Sequence, residues 1–344
     1  MTHTAATRRP TVLITAAKLA PEAVALLEGA GLAPVYTAAY PEQDALVAAV
    51  REHRPVALLH RQGLIDGAVM DAAAPHLRAV ARHGAGIDGI DVPAAEARGI
   101  TVARAAGANS RAVAEHSMAL LLALLKDLPA VSAGMREGRW EKATRVTRDA
   151  EGLALGIVGY GAIGSKVARF ADAFGARVMA YDPYLPGDGL PGPGERVGDL
   201  PSLLARSEAL SLHCPLSDET RGMIGAAQFA AMPEGALLVN AARGGIVDEA
   251  ALLAAIDAGQ IAAAGIDVFA TEPLPVDSPL RRHPRVLASP HLAASSVRGG
   301  IAMATGAAEC IVAVLAGRLP ALPGAIVVPG GLRAAGNATH NAAA

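Results

Sequence analysis

Residues 153–164 read LALGIVGYGAIG, an apolar run closing on Gly159-x-Gly161-x-x-Gly164. The run has the length of a buried strand and Ser165–Phe174 carries a helical pattern, so the glycines fall in a strand-to-helix turn. Gly159 permits the tight turn, Gly161 lets the backbone approach a pyrophosphate, and Gly164 lets the helix pack on the strand. Phosphate then rests on the helix N-terminus, with Ala162 and Ile163 in the turn, where N–H groups and the helix dipole favour negative charge. Asp182 follows the next predicted strand, Arg177–Tyr181, at the spacing where a carboxylate meets a ribose. A carboxylate accepts hydrogen bonds from ribose hydroxyls and repels a 2′-phosphate. Neither Pro183 nor Tyr184 supplies an arginine, so the pattern favours NAD over NADP.

Outward from this turn, short apolar runs alternate with helical stretches on both sides. Thr11–Thr15, Pro34–Thr37, Val56–Leu59, Ala79–Arg82 and Ile100–Ala103 are predicted strands, with helices over Pro21–Gly29, Glu42–Glu52 and Val92–Arg98. A second series has strands at Leu155–Val158, Arg177–Tyr181, Ala209–His213, Leu237–Asn240, Ala264–Val268 and Val286–Ala288. One long helix, Ser110–Leu128, apolar on most faces, separates the two series. Strands spaced by helices predict an α/β chain with two doubly wound parallel sheets, each covered on both faces.

Composition narrows the function classes. At roughly 150 residues per domain, 344 residues suggest two domains. Thirty Lys and Arg against 32 Asp and Glu leave a net charge of −2, which argues against nucleic acid as a partner. With 52% hydrophobic and 18% charged residues, wholesale disorder is excluded. The two cysteines, Cys214 and Cys310, cannot build a disulfide framework or a four-ligand zinc site, and they fit a reducing cytosol. No HxxxH or CxxC spacing supports a metal. Mean hydropathy is +0.34, yet the longest apolar stretch, Met118–Leu125, falls far short of the ~18 residues of a membrane span. The first ten residues lack the apolar segment of a signal peptide. A cytoplasmic protein with no membrane partner is expected.

Three later segments carry chemistry: NAARGGIVDE at 240–249, DVFATEP at 267–273 and SPHLAASS at 289–296. Each follows a predicted strand, so Arg243, Asp267, Glu272 and His291 can converge at the carboxyl edge of one sheet, where such folds bind ligands. Singly, each has an ordinary reading as a loop arginine, a turn carboxylate or a strand-end histidine. Together with a dinucleotide turn, an arginine, a carboxylate and a histidine are the set that hydride chemistry at a 2-oxo acid requires.

With RHGAGID at 82–88, AVAEH at 112–116 and HCPL at 213–216, the chain resembles the D-isomer-specific 2-hydroxyacid dehydrogenase family from about Thr11 to Pro320. The resemblance implies a flavodoxin-like substrate domain, residues 1–107 plus 292–330, into which a Rossmann NAD-binding domain, 108–291, is inserted. Residues 331–344 are expected to be a disordered tail. Arg243 would then bind the substrate carboxylate and carbonyl oxygen, and His291 would exchange the proton. Glu272 would hold the His291 ring and favour its charged form. Backbone N–H groups of Ala85 and Gly86 would meet the substrate carboxylate, Cys214 and Ala241 would line the cofactor groove, and Asp267 would take the nicotinamide carboxamide. His116 and His213 lie in family motifs outside the catalytic positions and are expected to be packed and hydrogen-bonded. Family members pair through the region of Ser110–Leu128 and on to Trp140, which implies a homodimer.

For the substrate, the loop LHRQG at 59–63 carries one arginine, displaced by one position from the pattern of phosphoglycerate enzymes. The chain also ends before the regulatory domain many of them carry. Four Phe, five Tyr and one Trp offer little for a large aromatic pocket. A small 2-oxo acid such as hydroxypyruvate or glyoxylate is therefore expected, with D-3-phosphoglycerate as the alternative. From another class, an NAD-sensing corepressor-type binding protein is the rival reading; the intact Arg243, Glu272 and His291 favour an enzyme.

Overall fold

The computed structural model describes residues 9–332. The chain begins with β1 (Thr11–Ile14), α1 (Pro21–Gly29), β2 (Ala33–Tyr36), α2 (Gln43–His53), β3 (Ala57–His60), α3 (Gly67–Ala72), β4 (Ala79–Arg82), α4 (Val92–Ala97) and β5 (Thr101–Arg104). A second series follows: α5 (Ser110–Leu125), α6 (Leu128–Arg136), β6 (Ala154–Val158), α7 (Gly164–Ala173), β7 (Arg177–Tyr181), β8 (Glu195–Arg196), α8 (Leu200–Arg206) and β9 (Ala209–Leu212). It continues through α9 (Ala226–Ala230), β10 (Ala236–Asn240), α10 (Glu249–Asp257), β11 (Ile261–Ile266), α11 (Pro279–Arg282) and β12 (Val286–Ala288). The chain ends in α12 (Val297–Leu315) and β13 (Ile326–Val328).

Two units result. One runs to Asn109 and resumes at Val297; the other is Ser110–Ser296. The observed boundaries lie two and five residues beyond the expected 107/108 and 291/292. In the first unit the sheet order is β13-β5-β4-β3-β1-β2, parallel except for β13, which runs antiparallel to β5. Helix α12 is long and apolar enough to cross a membrane by length and composition. Here it serves as a core helix of this unit, burying Ala304, Ala307, Ala308 and Ile311 with Val12, Leu59 and Ala81. The expected tail at 331–344 is ordered at its start: Gly331 donates to the Gly99 carbonyl at 3.0 Å and Leu332 packs on the core. The rest of that stretch lies outside the described residues.

The second unit has a seven-stranded parallel sheet, β12-β11-β10-β9-β6-β7-β8, with the strand order of a Rossmann fold. Strands β6, β9 and β10 are buried throughout, which is why they read as unbroken apolar runs rather than alternating ones. Aspartates set helix starts: Asp199 accepts from the Ser202 N–H and Asp248 from the Ala250 and Ala251 N–H groups. The helix expected over Ser110–Leu128 is broken. It stops at Leu125 and the chain turns by 61° into α6. Asp127 stands at φ 48°, in the left-handed region that Asp tolerates, and Pro129, which has no N–H to continue the α5 ladder, suits the first turn of α6.

Candidate active site

The glycine turn between β6 and α7 has the expected geometry. Gly159 lies at φ 88°, and a Cβ there would come within 2.8 Å of the Cys214 backbone nitrogen. At Gly164 a Cβ would collide with the Gly159 carbonyl, so the helix rests directly on the strand end. A Cβ at Gly161 would meet nothing within 4 Å, so that backbone faces open space. Ile163, the residue before α7, makes no side-chain cap to the helix. An open glycine backbone before an uncapped helix start fits the pyrophosphate of a dinucleotide.

At the end of β7 the Asp182 carboxylate is held by the N–H groups of Tyr160, at 2.8 Å, and Tyr184, at 3.0 Å. It borders a cavity of about 490 Å³ with Tyr181, Pro183, Gly187 and Arg196. Pro183 and Tyr184 bring no arginine here, but the cavity has one in Arg196. It arrives from β8, fourteen positions along the chain, and its guanidinium binds the carbonyls of Leu185, at 2.9 Å, and Gly187. Ala241 is buried against Val113 and Ala293, with Ile163 packed on the same cluster, which brings the end of β10 beside the glycine turn. Burial pushes the Cys214 thiol up to about 11, so it is protonated and no nucleophile at neutral pH.

The chemistry-bearing residues follow β10, β11 and β12. Arg243 leaves β10 on a turn held from both sides by Asn240, whose side chain donates to the Arg243 carbonyl and accepts from the Ala242 N–H. Gly244 packs so closely on the Phe269 carbonyl that no side chain fits. Glu272, before a cis Pro273, accepts from the Phe269 N–H at 3.0 Å with one oxygen and meets His291 Nδ1 at 2.7 Å with the other. Burial raises the Glu272 carboxyl. The His291 and Phe269 hydrogen bonds, the His291 charge and the Arg243 guanidinium outweigh it and hold the group below its ordinary value. Glu272 is thus a carboxylate at neutral pH, paired to His291 and within the field of Arg243.

Asp267 is placed unlike its expected role. Its side chain has no exposed surface, and its oxygens accept from Ser289 Oγ and the N–H groups of Leu292 and Ala293. In this conformation the carboxylate anchors the loop that carries His291.

The first unit is distinct from this site in the fold and has its own edge of interest. His60, Arg82 and Arg104 are the last residues of β3, β4 and β5, and the ladders pair them side by side. Arg104 donates to the Ala85 carbonyl at 3.3 Å and Arg82 to the Gly86 carbonyl at 2.8 Å. Burial, then the nearby Arg61, pushes His83 down to about 4. Reading the loop 59–63 alone finds one arginine of this group. Arg82 and Arg104 come from neighbouring strands, and only parallel pairing in register gathers them.

The model of the D-isomer specific 2-hydroxyacid dehydrogenase NAD binding domain matches residues 118–293. A D-3-phosphoglycerate dehydrogenase from Mycobacterium tuberculosis is 44% identical over 323 residues, 94% of this chain and 60% of that protein. The chain therefore spans less than two thirds of that relative's length. A solved structure from Thermus thermophilus has a TM-score of 0.83 at 34% identity, covering 92% of this chain and all of that one. A glyoxylate reductase structure from Paecilomyes thermophila has a TM-score of 0.81 at 26% identity, covering 93% and 98%. Likeness on this scale runs through both units, and this chain belongs to the D-isomer specific 2-hydroxyacid dehydrogenase family, whose NAD-binding domain is its second unit.

Proposed function

We propose that the chain interconverts a D-2-hydroxy acid and its 2-oxo acid with NAD, and that D-3-phosphoglycerate takes precedence over the small unphosphorylated acids the sequence suggested. The His291–Glu272 pair at 2.7 Å carries the reading, because an imidazole oriented by a carboxylate can pass a proton to and from a carbonyl oxygen. Arg243 binds the substrate carboxylate and orients the carbonyl by its planar fork of donors. NAD, when bound at the glycine turn and Asp182, supplies or accepts the hydride. His291 gives its proton to the carbonyl oxygen in reduction and takes the hydroxyl proton in oxidation, with Glu272 keeping the ring oriented.

Two observations support a phosphorylated substrate over hydroxypyruvate or glyoxylate. Relatives at 41–44% identity are D-3-phosphoglycerate dehydrogenases. The edge bearing Arg61, Arg82 and Arg104 also suits a doubly charged group. The binding-protein alternative gives no reason for a paired His291 and Glu272. A cytoplasmic homodimer completes the reading.

The test is NADH oxidation with 3-phosphohydroxypyruvate, hydroxypyruvate and glyoxylate. We expect kcat/KM to be highest for 3-phosphohydroxypyruvate and to fall by at least about tenfold when Arg61 is replaced by Ala, since charge-assisted hydrogen bonds contribute about 1.5–3 kcal/mol. A higher value for either unphosphorylated acid overturns the substrate; NADH binding without turnover of any acid overturns the enzyme.

A further inference from the structure

His291 has backbone φ 53°, a left-handed conformation uncommon for any residue but glycine. Such a conformation persists only where its surroundings over-determine it. Here they are unusually complete. The His291 N–H donates to the Asp267 carbonyl at 2.8 Å, and the next two N–H groups, of Leu292 and Ala293, each reach the Asp267 carboxylate at 2.8 Å. The loop is wrapped around one buried anion.

That anion is reached from a separate element. Ser289 Oγ donates to Asp267 Oδ1 at 2.6 Å, and His116 Nε2, on α5, lies 3.0 Å from Ser289 Oγ and 3.5 Å from Asp267 Oδ1. The direction of the chain is fixed by chemistry. A carboxylate only accepts, so the serine proton points at Asp267, and the serine lone pair must take its hydrogen from His116 Nε2. His116 donates in this arrangement whether the ring is neutral or charged. Burial works against the Asp267 charge, and hydrogen bonds from His116, Ser289, Ala293 and Leu292 outweigh it.

We propose that His116 is a positioning residue for the proton transfer: through Ser289 and Asp267 it holds the His291 loop in its left-handed conformation and so keeps the imidazole on Glu272. This rests on the reading of His291 as the acid–base group. Without the His116 donor, the serine hydroxyl is free to turn from Asp267. The carboxylate then loses part of its clamp on residues 289–293, and His291 is no longer held in line with the reacting oxygen. Small misplacements of a reacting group cost up to about a hundredfold in rate.

The experiment compares His116→Ala, His116→Gln and Ser289→Ala, with the His116→Ala/Ser289→Ala double variant, in full-length protein with NADH and 3-phosphohydroxypyruvate. Gln keeps an N–H donor at nearly the reach of Nε2. His116→Ala should lower kcat roughly 10–100-fold with KM for NADH within about twofold, whereas His116→Gln should stay within about threefold of the parent. The alkaline limb of the reductive pH profile should move in His116→Ala and stay put in His116→Gln. The double variant should lose no more than about threefold beyond the worse single variant, because the two residues act in one chain. Equal losses in Ala and Gln, an unchanged kcat in Ala, or losses that multiply in the double variant each overturn the proposal. Should His116→Ala fail to fold, the Gln and Ser289→Ala variants still decide it: loss in Ser289→Ala with retention in Gln supports the chain, and the reverse overturns it. Failure of the underlying reading shows separately, as activity retained by His291→Ala.

Discussion

Glu272 concentrates the residue-scale argument, since one oxygen is spent on the Phe269 N–H and the other on His291. Its folded-state pKa lies below the ordinary 4.5, so the stability it contributes is present above that value and disappears as pH falls through the lowered one. For catalysis, Glu272→Gln removes the charge that holds His291 Nδ1 and keeps much of the shape. Reductive kcat/KM should fall at least about tenfold, since a charge-assisted hydrogen bond contributes about 1.5–3 kcal/mol; parent-like values in steady-state measurements would show that the pair does not serve the reaction. Asp182 yields a second prediction. The parent should prefer NADH, and Asp182→Ala should narrow the NADH/NADPH ratio of kcat/KM by about tenfold or more, as repulsion of a 2′-phosphate is lifted near Arg196. A parent that prefers NADPH refutes it. The candidate set Arg243, Glu272 and His291 was legible from motifs, because each sits just after a strand. Arg196 and the partners of Asp267 were not, since what a guanidinium or carboxylate touches depends on loops folded from distant sequence.

Among the elements, the turn after β10 places the most demand on its sequence. Gly244 has no room for a side chain against the Phe269 backbone, so Gly244→Ala must shift either the Arg243 turn or the segment leading to Glu272. Overpacking of this kind costs roughly 1–3 kcal/mol. The variant should melt several degrees lower and lose most of its kcat/KM; a parent-like melting temperature with full activity contradicts the packing. Helix α6 and the segment after it expose Leu128, Met135, Trp140 at 77% and Val146 at 92%. Four exposed apolar side chains of this size within one segment suit a surface that takes a protein partner. A homodimer through this region predicts a two-chain mass by light scattering at micromolar concentration, and a shift to monomer in a Trp140→Glu/Val146→Glu variant.

For the whole molecule, buried histidines set the response to acid. Burial, aided by Arg82, brings His60 down to about 4; burial and then Arg61 bring His83 to about 4; burial alone brings His213 to about 3. All three are neutral in the folded chain, while in the unfolded chain they take up protons below about pH 6.5. Stability should therefore fall as pH drops below about 6.5, with His60 contributing roughly 3 kcal/mol of the loss by about pH 4 and carboxylates held low, such as Glu272, adding to it below that. Melting temperatures between pH 7 and pH 4.5 check this, and His60→Gln should flatten the slope. A parent whose melting temperature holds constant over that range overturns it.

By itself, the sequence determined the two β/α series, the dinucleotide turn, NAD as the cofactor and the proposed set of Arg243, Glu272 and His291. Those features are local: apolar period, glycine spacing and a motif directly after a strand are written in neighbouring residues. Only the tertiary structure decided what depends on register and burial between distant segments. Parallel pairing sets His60, Arg82 and Arg104 side by side, which the single arginine of the loop at 59–63 did not disclose. Packing of α5 against β11 brings His116 to Ser289 and Asp267 across more than 150 residues of chain. A hydrogen bond over that separation leaves no periodic trace in sequence, because its partners are chosen by the fold and not by their neighbours.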